Sequence, residues 1–267
     1  MNIEQRNNVH CYGSGSSTLV FGHGFGCDQS MWRKLVPAFS AHYKIVLYDL
    51  VGSGGSELSA YNEFDYATLH RHAEDLLAIL HEFANEPVLF IGHSVSATIG
   101  MLAAIREPAM FAGQVMVGPS PCFINDGDYI GGFNREDIDA LLQLMHDNYL
   151  KWAAGMAPLI MGAPDRPELR QELAASFCRN DPEIARHFAR VTFLSDHRAD
   201  VPRSHTPTLI LQSTDDMIAP REVGQYMRRH LPVSWLAYID NIGHCPHMSA
   251  ASESTELIRT FISRLLK

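Results

Sequence analysis

Two rhythms of apolar and polar positions alternate along this chain. Short unbroken apolar runs, rich in β-branched residues, occur at 18–21 (TLVF), 44–48 (KIVLY), 87–91 (PVLFI), 113–117 (GQVMV) and 208–211 (TLIL). Runs of this length, most of them ending at Gly, Asp or Ser, predict strands buried on both faces, as in a parallel sheet whose turns gather at the carboxyl ends. Between them the spacing lengthens to the helical period. Residues 66–83 place Leu69, Ala73, Leu76, Leu77, Leu80 and Phe83 near one stripe, and 254–266 close the chain in the same way. Strands alternating with helices predict a doubly wound α/β sheet.

The alternation stops after Val117. From 122 to 203 no run reads as a strand, and the segment offers helical stretches at 135–150, 167–178 and 182–193. Gly162-Ala163-Pro164-Asp165 and Asn180-Asp181-Pro182 separate them, and Asp181 before Pro182 reads as a helix start with proline in the first turn. The strand pattern resumes at Thr208. We therefore expect a core made of 1–121 and 204–267, interrupted by a helical cap at 122–203. A cap there would lie over the strand ends, where open α/β sheets bind their ligands.

Length and composition narrow the classes. A chain of 267 residues with 46% hydrophobic and 19% charged positions has the makings of one α/β core with an insertion. Thirty acidic residues against 21 basic ones give a net charge of -9, which repels nucleic-acid backbones and anionic membranes. Arg228-Arg229-His230 is the only compact basic cluster and is too small to reverse that, so neither nucleic acid nor membrane is an expected partner. The five cysteines, Cys11, Cys27, Cys122, Cys178 and Cys245, form no C-x-x-C pair and predict reduced thiols. The first ten residues lack the apolar run of a secretory signal, and no stretch approaches the ~20 apolar residues of a membrane span. The expectation is a soluble, cytoplasmic protein.

The candidate chemistry centres on Gly92-His93-Ser94-Val95-Ser96, between the run 87–91 and a helical segment of small residues. Strand, tight turn and helix in that order put a serine hydroxyl at the tip of a strained elbow. The usual elbow is G-x-S-x-G, and Ser96 stands where its second glycine would be. A serine after a strand is also a common helix cap, so the reading needs partners. A serine nucleophile requires a base oriented by an acid, in this fold with the chain order Ser, Asp or Glu, His. Asp215 and Asp216 follow the last clear run, and His244 and His247 lie near the end of the chain. Asp216, which leads through Met-Ile-Ala-Pro into the next helix, and His244, which follows a glycine, are favoured. Read singly, the two aspartates would be helix caps and the two histidines loop residues; their order along the chain supports the triad.

Other site chemistries fit less well. His244, Cys245 and His247 invite a zinc site but lack H-E-x-x-H or paired cysteines, so no metal is expected. Gly22-His23-Gly24-Phe25-Gly26 does not make the dinucleotide pattern G-x-G-x-x-G, and Gly52-Ser53-Gly54-Gly55-Ser56 lacks the P-loop lysine, so no cofactor is expected. The loop 22–26 instead sits where an acyl-transfer site needs a second backbone donor for the oxyanion. Phe25 and Val95 are the candidate N–H groups.

With these motifs assembled, the sequence resembles the RsbQ group of α/β hydrolases, bacterial stress-signalling proteins related to the plant karrikin-receptor and strigolactone-receptor hydrolases. The resemblance rests on GHGFGCDQSMW (22–32), YDLVGSG (48–54), GHSVSATIGMLA (92–103), VGPSPCFIND (117–126), GGF (131–133), SDHR (195–198) and GHCPHMS (243–249). PSPCFIND and PDRPE (164–168) look more like the bacterial group than the plant receptors. The resemblance implies an α/β-hydrolase fold with a four-helix cap, a Ser94, Asp216 and His244 triad, and an oxyanion hole of Phe25 and Val95. It also implies an apolar pocket at Phe133, Trp152, Met156, Phe193 and Ile218, where the rival reading is simple core between cap and sheet. Met156 stands where plant relatives often carry an aromatic. The implied activity is hydrolysis of a small apolar ester, lactone or butenolide-type ligand, and the implied partners are that ligand and a signalling protein such as a phosphatase. Two rival classes are a sensor with slow or vestigial hydrolysis, and a cofactor-free haloperoxidase or carbon-carbon bond hydrolase sharing the triad.

Overall fold

In the computed structural model, which describes residues 2–265, the apolar runs lie side by side in one sheet. Its strands are β1 (His10–Tyr12), β2 (Thr18–Gly22), β3 (Lys44–Tyr48), β4 (Val88–His93), β5 (Phe111–Val117), β6 (Thr208–Asp215) and β7 (Ser234–Ile242), in the order β1-β3-β2-β4-β5-β6-β7. β1 pairs antiparallel with β3, and every other neighbouring pair is parallel. β2 and β4 are buried at every position, which is why their sequences show unbroken apolar runs. Two strands lacked that signal. β1 is exposed at all three of its residues, and the edge strand β7 is buried fully only at Ser234 and Ile239. Neither position demands a continuous apolar run.

The helices are α1 (Ile3–Arg6), α2 (Leu69–Phe83), α3 (Val95–Arg106), α4 (Arg135–Asp147), α5 (Tyr149–Met161), α6 (Pro167–Arg179), α7 (Pro182–Phe193), α8 (Arg221–His230), α9 (Pro246–Ser249) and α10 (Ala251–Leu265). The expected helix 66–83 starts three residues late, at Leu69, because Thr68 ahead of it is extended, while Tyr66 is buried and donates to Asp75 at 2.7 Å. The expected final helix begins earlier, at Ala251, and its expected last position, Leu266, lies outside the described residues.

α4 to α7 all fall between β5 and β6. The stretch expected as one helix over 135–150 is two. Asn148 leaves the helical region at φ -156° and ψ 88°, and its side chain accepts from Lys151 N at 2.9 Å to cap α5. One apolar cluster runs from the sheet (Phe21, Ile91, Val117) into these helices (Ile138, Trp152, Phe177), so the insertion shares the sheet's core. A second cluster joins the opposite sheet face to α2 and α3 through residues such as Phe90, Leu76 and Ile99. Because β2 and β4 to β7 are parallel, their carboxyl ends open on one edge of the sheet. Every expected site residue from the core lies within a few positions of that edge.

Candidate active site

The turn after β4 holds the nucleophile candidate in a conformation that few residues adopt. Ser94 has φ 52° and ψ -119° and directly precedes α3, a strain of about 1–3 kcal/mol that the surroundings must hold in place. They do so through Ser94 N, which donates to Val117 O on β5 at 2.8 Å. The chain doubles back so tightly that a Cβ at Gly92 would come within 2.6 Å of Ser96 O. Ser96 fits where the usual elbow has glycine, and its hydroxyl donates to His23 O at 2.5 Å, tying α3 to the loop that carries Phe25.

Three distant segments meet at this turn. His244 Nε2 lies 2.8 Å from Ser94 Oγ, and His244 Nδ1 lies 2.8 Å from Asp216 Oδ2. Asp216 follows β6, and its Oδ1 accepts from Ile218 N at 2.9 Å and Ala219 N at 3.1 Å, which fixes the plane of the carboxylate. With Nδ1–H donating to Asp216, Nε2 offers its lone pair to the serine hydroxyl. All three side chains are buried. Gly118, at φ 56°, leaves room for the imidazole, since a Cβ there would stand 3.0 Å from His244 Cε1.

The neighbours that sequence order left as alternatives have other places. Asp215 ends β6 with its side chain exposed, and its carbonyl accepts from Gly243 N at 2.7 Å. His247 is fully buried between the Trp32 ring, 4.6 Å away, and the His93 ring, 4.4 Å away. Burial and the nearby His244 lower its pKa to about 3, so it stays neutral. His93 is likewise held neutral by burial, and its Nε2–H donates to His244 O at 2.9 Å. Cys245 and Cys27 are buried beside the site; burial pushes the Cys27 thiol up to about 12 and raises that of Cys245 well above its ordinary value. Neither thiol is a nucleophile at neutral pH.

Phe25 and Val95 flank the elbow from two sides. Val95 opens α3, where first-turn N–H groups have no acceptor within the helix. Phe25 sits in the loop after β2 that Ser96 anchors, and His23 braces the same loop by bonding Gly24 O and Leu50 N, each at 2.9 Å. The Phe25 ring packs against the helices above it, with centroids 5.6 Å from Phe188, 5.9 Å from Phe193 and 6.1 Å from Trp152.

Ser94 and His244 open into a small apolar cavity between sheet and insertion, with about 30 Å³ of free space, room for roughly two waters. Of the five expected pocket residues, Phe193 and Ile218 form its wall. Phe133, Trp152 and Met156 do not. Trp152 is stacked between Tyr149 (5.7 Å) and Phe177 (5.3 Å), so Phe177 takes the wall position and Trp152 backs it. Met156 and Phe133 are both half-buried against the same core, and the Phe133 backbone bonds Phe123 O and Asn125 N. Sequence reasoning missed Phe123, Leu173, Phe177 and Thr192 on the wall. Leu169, Leu173 and Phe177 form a buried stripe at helical spacing on α6, a signal visible in the sequence that says nothing of what the stripe faces.

Among the described residues, no helix is long and apolar enough to cross a membrane. The sequence matches the model of the alpha/beta hydrolase family over residues 19–256. It is 40% identical to a strigolactone esterase from Pisum sativum, covering 92% of each chain, and 38% identical to a karrikin insensitive 2 receptor from Petunia hybrida, covering 93% of this chain and 92% of that one. Among solved structures, a hydrolase from Oleispira antarctica superposes with a TM-score of 0.95 at 42% identity, covering 98% of this chain and 96% of that chain.

Proposed function

The chain belongs to the alpha/beta hydrolase family, and from that premise we propose that it is a serine esterase or lactonase whose triad is Ser94, His244 and Asp216. The observation that carries this reading is the unbroken relay Asp216–His244–Ser94, with both links at 2.8 Å, opening into an apolar cavity.

Ser94 Oγ attacks the carbonyl carbon of the bound ester as its proton passes to His244 Nε2. Asp216 keeps the imidazole in the tautomer that can accept that proton and stabilises the imidazolium that forms. The oxyanion of the tetrahedral intermediate is met by the N–H groups of Phe25 and Val95, where losing one such donor costs about 3 kcal/mol. Collapse breaks the ester C–O bond, and the leaving alkoxide takes the proton from Nε2. Water then enters, gives a proton to Nε2 and attacks the acyl carbon, and Ser94 recovers its proton as the acid leaves.

The substrate is a small apolar ester, lactone or butenolide-type molecule. The cavity is small and walled mostly by Phe, Leu and Ile side chains, and the relatives named strigolactone esterases support the same class. Replacing Ser94 by alanine is expected to abolish ester turnover and covalent labelling by a serine-directed phosphonate. Turnover that survives this substitution rejects the mechanism.

A sensing role is favoured by the relatives named as receptors. In this reading the protein is cytoplasmic, hydrolyses slowly, and passes the ligand's signal to a partner such as a phosphatase. Pull-down from the native host with intact and Ser94→Ala protein tests it. Absence of any specific partner, with or without ester, counts against it.

A further inference from the structure

Thr192 sits in the last turn of α7 and forms part of the wall of the cavity into which Ser94 opens. It is 2% exposed, and its Oγ1 has no hydrogen-bond partner. A helical threonine ordinarily bonds its hydroxyl to a carbonyl one turn back, and this one does not. Its own carbonyl, by contrast, is well served, accepting from Ser195 Oγ at 2.8 Å and from Ser195 N at 3.3 Å. Away from the His93, Ser94 and His244 end, the wall consists of aromatic and aliphatic side chains and the two high-pKa thiols. A buried hydroxyl left unpaired by the protein is costly, and a bound molecule's oxygen is the partner that would satisfy it.

Resting on the hydrolase reading above, we propose that Thr192 Oγ1 is a specificity-determining donor that selects esters or lactones carrying a second oxygen acceptor apart from the scissile carbonyl. The substrate is then apolar over most of its surface and polar at two points. Ser94 and the oxyanion donors take the reacting carbonyl, and Thr192, on the insertion, takes an ether-type oxygen on the body of the molecule. An all-carbon analogue leaves the hydroxyl unpaired and binds less well, the asymmetry by which a polar group in an apolar pocket discriminates.

The test uses a matched set of small esters in which one CH₂ of the acyl or alcohol chain is replaced by an ether oxygen at each position in turn, with the all-carbon ester as reference. The readout is the ratio of kcat/KM for each ether ester to that of the reference, in the wild type, Thr192→Val and Thr192→Ser. Because both substrates meet the same protein sample, any loss of folded enzyme cancels from the ratio. We expect at least one ether ester whose ratio falls roughly fivefold or more in Thr192→Val, through KM, and recovers in Thr192→Ser. Ratios that stay constant across the set in Thr192→Val, while Ser94 still takes up a phosphonate, overturn the role of Thr192 and leave the hydrolase reading standing. A fall that Thr192→Ser fails to restore also overturns it, since the effect would then be one of shape. No turnover of any ester together with no labelling of Ser94 removes the hydrolase reading and this inference with it.

Discussion

The backbone N–H of His244 donates to the carbonyl of Ile160 at 2.7 Å. Ile160 belongs to the last turn of α5, whose carbonyls lack donors within the helix, so the insertion and the loop carrying the His244 imidazole complete one another. The approach is close enough that a Cβ at Gly243, at φ 113°, would overlap Met161 O, and one at Gly162, at φ 60°, would overlap Ile242 O.

Gly243→Ala is therefore expected to push α5 and the His244 loop apart. Strained backbone alone costs about 1–3 kcal/mol, and the displaced imidazole should lower kcat by at least roughly tenfold, given how steeply catalysis depends on geometry. Thermal unfolding and ester kinetics on the purified variant check both effects. Wild-type kcat in a destabilised variant would show that the contact is structural only.

Asp216→Asn keeps the shape of the side chain but offers His244 Nδ1 an ambiguous partner. An amide NH₂ facing Nδ1 favours the tautomer with Nε2–H, which cannot take the serine proton. A loss of kcat of about 10⁴-fold is expected, the size seen when a triad aspartate elsewhere is replaced by asparagine, with KM little changed. Steady-state kinetics on one activated ester suffices, and a loss below tenfold would place the orienting acid elsewhere.

Three buried imidazoles should make folding stability fall in mild acid. Burial lowers His72 and His247 to about 3 and His93 well below its ordinary value, whereas in the unfolded chain each titrates near 6.5. Between those values the unfolded state binds more protons, so stability is complete above about pH 6.5 and is lost progressively as pH falls toward about 3, by up to about 1.4 kcal/mol per pH unit for each imidazole. Urea midpoints at pH 7 and pH 5 measure the slope. His247→Phe, which keeps the stack on Trp32 and His93, should flatten it; an unchanged slope would mean His247 is not a source of it.

Phe177 and Trp152 separate wall from support. Phe177→Ala enlarges the cavity directly and is expected to shift preference toward bulkier acyl groups, with an accompanying loss of about 3–5 kcal/mol of stability for a large aromatic removed from a core. Trp152→Phe keeps an aromatic in the stack behind it and should leave the acyl preference nearly unchanged. Profiling a series of acyl chain lengths distinguishes the two, and equal shifts in both variants would put Trp152 on the wall after all.

Strands buried on both faces announce themselves by continuous apolar runs, which is why β2 to β6 could be read from the chain and located to within a few residues. The same physics hid β1 and β7, whose exposed faces need no such run. Ser94, Asp216 and His244 were legible because an elbow needs small residues around a serine, and because the carboxyl ends of parallel strands must gather on one edge. What one dimension could not supply was the choice of neighbours in three. Asn148 splits one periodic stretch into two helices through its own capping bond, and stacking against Tyr149 turns Trp152 away from the cavity and leaves Phe177 facing it. Periodicity tells which side of a helix is buried, but only packing decides what it is buried against; that left the sheet and the meeting of Ser94, Asp216 and His244 readable in the sequence and the shape of the cavity to the tertiary structure.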